Sequence, residues 1–119
     1  MKKMKSGINY EQGEILLVPF PFTNLKSIKQ RPVLVLSSTG YNNKTEDVIT
    51  CGITSNLKDT DHSVLIESEQ CISGTIPTTS RIKVDKLFTL EQSIILKRWA
   101  KVNKETFEQV KREFFQLIG

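Results

Sequence analysis

Between Glu14 and Val102 the apolar residues come in short runs, each closed by glycine, proline, asparagine or a charged turn. Runs this short suit strands rather than helices, and their punctuation limits the chain to an assembly of brief strands. Glu14-Ile15-Leu16-Leu17-Val18-Pro19-Phe20 follows Gly13 and predicts a first strand, with Pro19 and Pro21 marking its exit. Pro32 to Ser38 predicts a second, apolar on both parities and therefore covered on both faces. Gly40 to Lys44, centred on Asn42-Asn43, has turn chemistry. Val48 to Thr54 predicts a third strand with Ile49, Cys51 and Ile53 on the core face and Val48, Thr50, Gly52 and Thr54 opposite. Ser63 to Glu67, Ser80 to Val84 and Ile95 to Val102 are further strand candidates.

Only the C-terminus has the spacing of a long helix. Asn103 is its expected N-cap, and Phe107, Val110, Phe114, Leu117 and Ile118 recur at helical intervals as a core-facing stripe. Five or six short strands and one closing helix predict a mainly β fold, a small barrel or antiparallel sheet. Side chains fill a barrel of this size, so function is expected on loops and an outer face.

A chain of 119 residues forms one domain, expected over residues 13–119 behind a loose basic leader, residues 1–12. With 38% hydrophobic and 25% charged residues, wholesale disorder is excluded. No apolar run approaches the roughly 18–20 residues of a membrane span, so no membrane partner is expected. The basic start, Met1 to Lys5, leads into polar residues and does not have the form of a secretory signal. Cys51 and Cys71 are too few for a disulfide framework and lack zinc spacing, which fits a reduced, cytoplasmic protein.

The net charge of +4 says little, because Lys2, Lys3 and Lys5 supply three of those charges. Its distribution says more. Residues 15–45 carry Lys26, Lys29, Arg31 and Lys44 and no acid, residues 46–80 sum to −5, and residues 81–119 return to +4. Such segregation could give one basic face able to meet a polyanion; dispersal around the surface by folding is equally open.

There is no glycine-rich phosphate loop, no nucleophile elbow and no pair of histidines for a metal. His62, the only histidine, lies in the acidic run Asp59-Thr60-Asp61-His62, which favours its protonated form, and reads as a solvated loop residue. Gln30-Arg31-Pro32 is more specific. Proline holds the preceding residue extended, so Arg31 stands at the start of a strand and offers a planar fork suited to phosphate.

Gly13 to Thr23, then Arg31 to Ser37, then Ile53-Thr54-Ser55, then Val84-Asp85-Lys86-Leu87 and the closing helix together resemble the MazF/PemK family of toxin endoribonucleases, over roughly residues 13–118. The resemblance implies an SH3-like β-barrel with a C-terminal helix, usually a homodimer, that cuts single-stranded RNA without metal or cofactor. It implies attack by the ribose 2′-hydroxyl, leaving a cyclic phosphate and a free 5′-hydroxyl. The family's catalytic arginine falls on Arg31, which would assist proton transfer and stabilise the transition state. Its partner threonine falls on Thr54, which would donate to a phosphate oxygen. Lys26, Lys29, Ser38, Ser55, Asn56, Ser80 and Arg81 are the expected RNA contacts, mRNA the expected target, and a separate antitoxin the expected protein partner.

One stretch departs from the family pattern. Where many members have Gln-Ile-Arg-Thr-Ile-Asp-Lys, this chain has Ser80-Arg81-Ile82-Lys83-Val84-Asp85-Lys86, with Ile82 at the arginine position. Arg81 is no simple substitute, because one step along a strand reverses the face. The competing reading is a catalytically inactive SH3-like barrel that binds nucleic acid or protein, with Lys26, Lys29, Lys83 and Lys97 driving salt-dependent binding.

Overall fold

The computed structural model describes residues 9–20 and 29–119. They form seven strands, β1 (Glu14–Phe20), β2 (Lys29–Val35), β3 (Asp47–Thr54), β4 (Ser63–Ile66), β5 (Cys71–Gly74), β6 (Ser80–Glu91) and β7 (Lys97–Val102), with two helices, α1 (Thr39–Lys44) and α2 (Lys104–Ile118). The strands make one antiparallel sheet in the order β4-β6-β3-β2-β1-β7-β5.

The sheet curls on itself. Val64 and Ile66 of β4, near one edge, share a buried cluster with Ala100 and Val102 of β7, near the other. Ile15, Leu34, Cys51 and Ile82 complete this core, and Val110, Phe107 and Phe114 of α2 close it. Helix α2 forms as expected: Asn103 Oδ1 accepts the Thr106 N–H at 2.8 Å, Glu105 occupies the first turn, and Thr106 and Val110 face inward one turn apart. Ile118, expected in the stripe, is 63% exposed at the helix end. No described helix is long and apolar enough to cross a membrane.

A second buried cluster, with Leu16, Val18, Val33, Val35, Val48 and Leu90, lies on the opposite face. The central strands are therefore covered on both sides. That holds for β2, as its mixed parities predicted, but also for β3, where Val48 and Thr50 are buried alongside Cys51 and Ile53 while Ile49 is half-buried. Each fully buried Leu, Ile or Val contributes about 1.5–3 kcal/mol through lost contact with water.

Four local expectations change. β2 begins at Lys29, so Pro32 lies inside it; pairing with β3 starts only at Val33, and the missing N–H removes no rung there. Gly40–Lys44 folds into α1, capped by Ser38, and Asn42 is fully buried. Its side-chain amide donates to the carbonyls of Tyr10 and Ser37, its Oδ1 accepts from Ser37 Oγ, and its own carbonyl accepts from Gln92 Nε2. Cys71–Gly74 is a strand the sequence pattern did not single out. Residues 9–12, placed with the leader, are tied to the sheet: Tyr10 is buried, Gln12 Nε2 donates to the Leu36 carbonyl, and Glu11 pairs with Lys101.

Candidate active site

The alternation of side chains along paired strands decides which residues meet. Val33 of β2 pairs with Gly52 of β3, which pairs with Lys83 of β6; Thr54 pairs with Arg81. Paired residues project to the same side, and each strand repeats every second residue. Arg31, Val33, Gly52, Thr54, Arg81 and Lys83 therefore share one face, away from the core beneath α2.

On this face lies a cleft of about 470 Å³ whose lining includes Arg31, Val33, Thr54, Asn56, Lys58, Lys83, Lys86 and Phe88. Val33 and Phe88 belong to the second apolar cluster, so the floor is firmly packed. The cations stand around it. Arg31 is exposed at the rim, across from Val18 of β1, and makes no ion pair with a described residue.

Lys86 reaches the cleft through an irregularity in β6. Cys51 pairs with Leu87 but the next residue, Gly52, pairs with Lys83, so Val84, Asp85 and Lys86 bulge out of the ladder. Val84 turns into the core and its N–H donates to the His62 carbonyl at 2.9 Å, leaving Asp85 and Lys86 exposed. Gly52 faces the bulge: a β-carbon there would stand 3.6 Å from Lys86 Cβ and 3.8 Å from the Phe88 ring.

Thr54 is oriented by a chain of local bonds. Its Oγ1 accepts the Asn56 N–H at 3.1 Å, and Asn56 Oδ1 accepts the Lys58 N–H at 3.1 Å. With Oγ1 fixed as acceptor toward the loop, the Thr54 hydroxyl can aim its own proton into the cleft.

Of the residues expected to act, Arg31, Thr54 and Asn56 line this cleft together. Lys29 is exposed at the start of β2 and Ser55 is exposed beside Thr54, both outside the lining. Lys26 lies outside the described residues. Ser38 lies beyond the far end of β2, where its hydroxyl caps α1 by accepting the Tyr41 N–H. Ser80 is buried on the other face, its hydroxyl donating to the Thr78 carbonyl. Arg81 is on the cleft side of β6, with Nε on the Leu57 carbonyl and Nη1 on Ser63 Oγ. The parity of β6 thus turns Arg81 and Lys83 outward, while Ile82, at the family's arginine position, is core.

Lys58, Thr60 and Phe88 were not picked out from the sequence. A loop and a long strand bring them in, and only the Asp85-Lys86 motif hinted that this part of β6 mattered. His62 is outside the lining. It adopts a left-handed φ of 60° before β4, and its Nδ1 lies 3.5 Å from Glu113 of α2. Among the described residues no cluster of His, Cys, Asp or Glu could hold a metal ion.

The fold has solved counterparts. A MazE–MazF complex from Deinococcus radiodurans superposes with a TM-score of 0.77 at 21% identity, covering 94% of this chain and 98% of that one. MazF alone from the same organism gives 0.75 at 21% identity, again covering 94% and 98%. An endoribonuclease in complex with its cognate antitoxin from a mycobacterial species gives 0.73 at 16% identity, covering 92% and 95%. No protein of curated function matches in sequence. At such identities these structures establish the fold, a curled antiparallel half-barrel with a C-terminal helix. Residues 11–118 match the family of PemK-like, MazF-like toxins of type II toxin–antitoxin systems, and the chain belongs to that family.

Proposed function

We propose that this protein is an endoribonuclease toxin that cuts single-stranded RNA in the Arg31–Thr54 cleft, without metal, by attack of a ribose 2′-hydroxyl on the adjacent phosphorus. The 2′-oxygen–phosphorus bond forms as the phosphorus–5′-oxygen bond breaks, leaving a cyclic phosphate and a 5′-hydroxyl. Such a reaction needs an aligned ribose, a stabiliser for the charge growing on the phosphoryl oxygens, and proton transfer.

The observation that carries this reading is the convergence of Arg31 and Thr54 on one cleft. Two strands supply them, a packed apolar floor lies beneath, and Lys58, Lys83 and Lys86 surround them. Arg31 is the charge stabiliser, its fork matched to a phosphate, and Thr54 donates to a phosphoryl oxygen. The lysines hold neighbouring phosphates. Single strands suit an open cleft with an apolar floor, because their bases are free to leave the stack.

Family membership and the MazE–MazF complexes among the structural counterparts support an antitoxin as protein partner. In this reading the antitoxin covers the cleft and the working form is a homodimer. The test is incubation of purified protein with a long unstructured RNA in EDTA, mapping new 5′ ends, with Arg31→Ala as control. Arg31-dependent cuts at a recurring short motif support the reading. A folded protein that binds RNA without new 5′-hydroxyl ends would instead be a binding module.

A further inference from the structure

The connection between β3 and β4, residues 55–62, supplies Asn56, Lys58 and Thr60 to the cleft but contains no helix or strand of its own. What fixes it comes from β6. Arg81 Nε donates to the Leu57 carbonyl at 3.1 Å, Nη1 donates to Ser63 Oγ at 3.1 Å, and Nη1 lies 3.4 Å from Asp59 Oδ1. One guanidinium thus grips the connection near its start and at the first residue of β4. Ser63 Oγ also donates to the Thr60 carbonyl at 2.7 Å, and Lys83 Nζ donates to Thr60 Oγ1. Because Arg81 pairs with Thr54 in the ladder, this clasp is anchored on the rung that carries Thr54.

The side chain of Arg81 is 14% exposed and that of Asp59 is 82% exposed. The carboxylate is screened by water and adds little, so the carbonyl and hydroxyl acceptors define the geometry. A phosphate taking the same fork would have to displace them.

We propose that Arg81 is a positioning residue: its guanidinium, turned onto Leu57 and Ser63, sets the Thr54–Asn56–Lys58 wall of the cleft. The effect on cleavage rests on the endoribonuclease reading above, whereas the clasp itself can be tested without RNA.

Arg81→Lys keeps the charge and loses the fork. In the RNA-free protein, hydrogen exchange at the Asn56 and Lys58 amides rises about tenfold in both Arg81→Lys and Arg81→Ala, while β3 keeps its protection. Ser63→Ala removes the far anchor, together with the bond to the Thr60 carbonyl, leaves every β6 residue in place and raises the same exchange; should an Arg81 variant fail to fold, unchanged exchange in Ser63→Ala overturns the clasp. In RNA cleavage, kcat falls about tenfold in both Arg81 variants, and the salt slope of binding is the same in the lysine variant as in the alanine variant. Unchanged exchange at Asn56 and Lys58 overturns the proposal. So does a lysine variant that retains wild-type kcat while the alanine variant lowers the salt slope by about 0.7, the signature of a direct phosphate contact. A wild-type protein that cuts no RNA counts against the endoribonuclease reading alone, since exchange still decides the clasp.

Discussion

Arg31 and Thr54 stand two residues beyond the last rung shared by β2 and β3, Val33 with Gly52, one on each strand and on the same face of the sheet. Their relative placement is a property of the ladder, not of a loop. Alternate residues of this strand pair pack into two different buried clusters, so slipping by one residue would exchange every side chain between them and spoil both. Side chains at this rim can therefore change without disturbing the core.

Arg31→Ala should lower RNA cleavage at least about 100-fold, the loss typical of a preorganised charge stabiliser. The residue is exposed, so the melting temperature should stay within about 2 °C of wild type. Cleavage rates and thermal melts on the same preparations check both statements; equal cutting by mutant and wild type rejects the assignment.

Thr54→Val keeps the shape and removes the hydroxyl, including the acceptor of the Asn56 N–H. We expect about a ten- to hundredfold loss of kcat, and recovery of most of it in Thr54→Ser. A valine variant as active as the serine variant would mean that the hydroxyl takes no part.

Asn42→Ala should destabilise the fold by about 3 kcal/mol, because it strands the Tyr10 carbonyl and Ser37 in a fully buried setting. Urea unfolding measures this directly. A loss below about 1 kcal/mol would show that α1 and the residue 9–12 segment reorganise without it.

Gly74 has φ +70°, and a β-carbon there would lie 2.1 Å from the Trp99 carbonyl oxygen. Gly74→Ala should cost about 2–3 kcal/mol and loosen β5 from β7, seen as faster exchange along β5. Wild-type protection in the variant would contradict so close a packing.

Burial pushes the Cys51 thiol well above its ordinary value of 9.0, with Asp85 adding to the shift, and burial also raises Cys71. Unfolded, each thiol loses its proton near the ordinary value; folded, Cys51 keeps it. The unfolded state then binds fewer protons, so stability is complete below about pH 9 and declines above it. For Cys51 the decline approaches about 1.4 kcal/mol per pH unit. Denaturation midpoints between pH 8 and 11 should fall less steeply in Cys51→Ala than in wild type.

How much was legible depended on how local the signal was. Asn103 and the stripe through Val110 and Phe114 announce α2, since capping and periodicity lie within one segment. Arg31 stands out because Pro32 follows it, whereas Thr54 is picked out only by the family resemblance, since a threonine at a strand end is otherwise ordinary. Cys71–Gly74 gives no alternation to read; it is a strand only because β7 offers it partners. Asn42 has the chemistry of a turn and is instead a buried hub, a role set by Tyr10 and Gln92 from distant parts of the chain. Lys58 and Thr60 reach the cleft through contacts with β6, and spacing in the sequence does not encode such contacts.

The three residues that β6 leaves out of its ladder separate two kinds of constraint. Val84 answers to the core, but Asp85 and Lys86 answer to nothing in the register of β3. Mutations at Lys86, which lines the cleft, can redraw its chemistry while the register of the sheet stays indifferent to them. A toxin built this way can drift toward new RNA targets, or escape an old antitoxin, without first losing its shape.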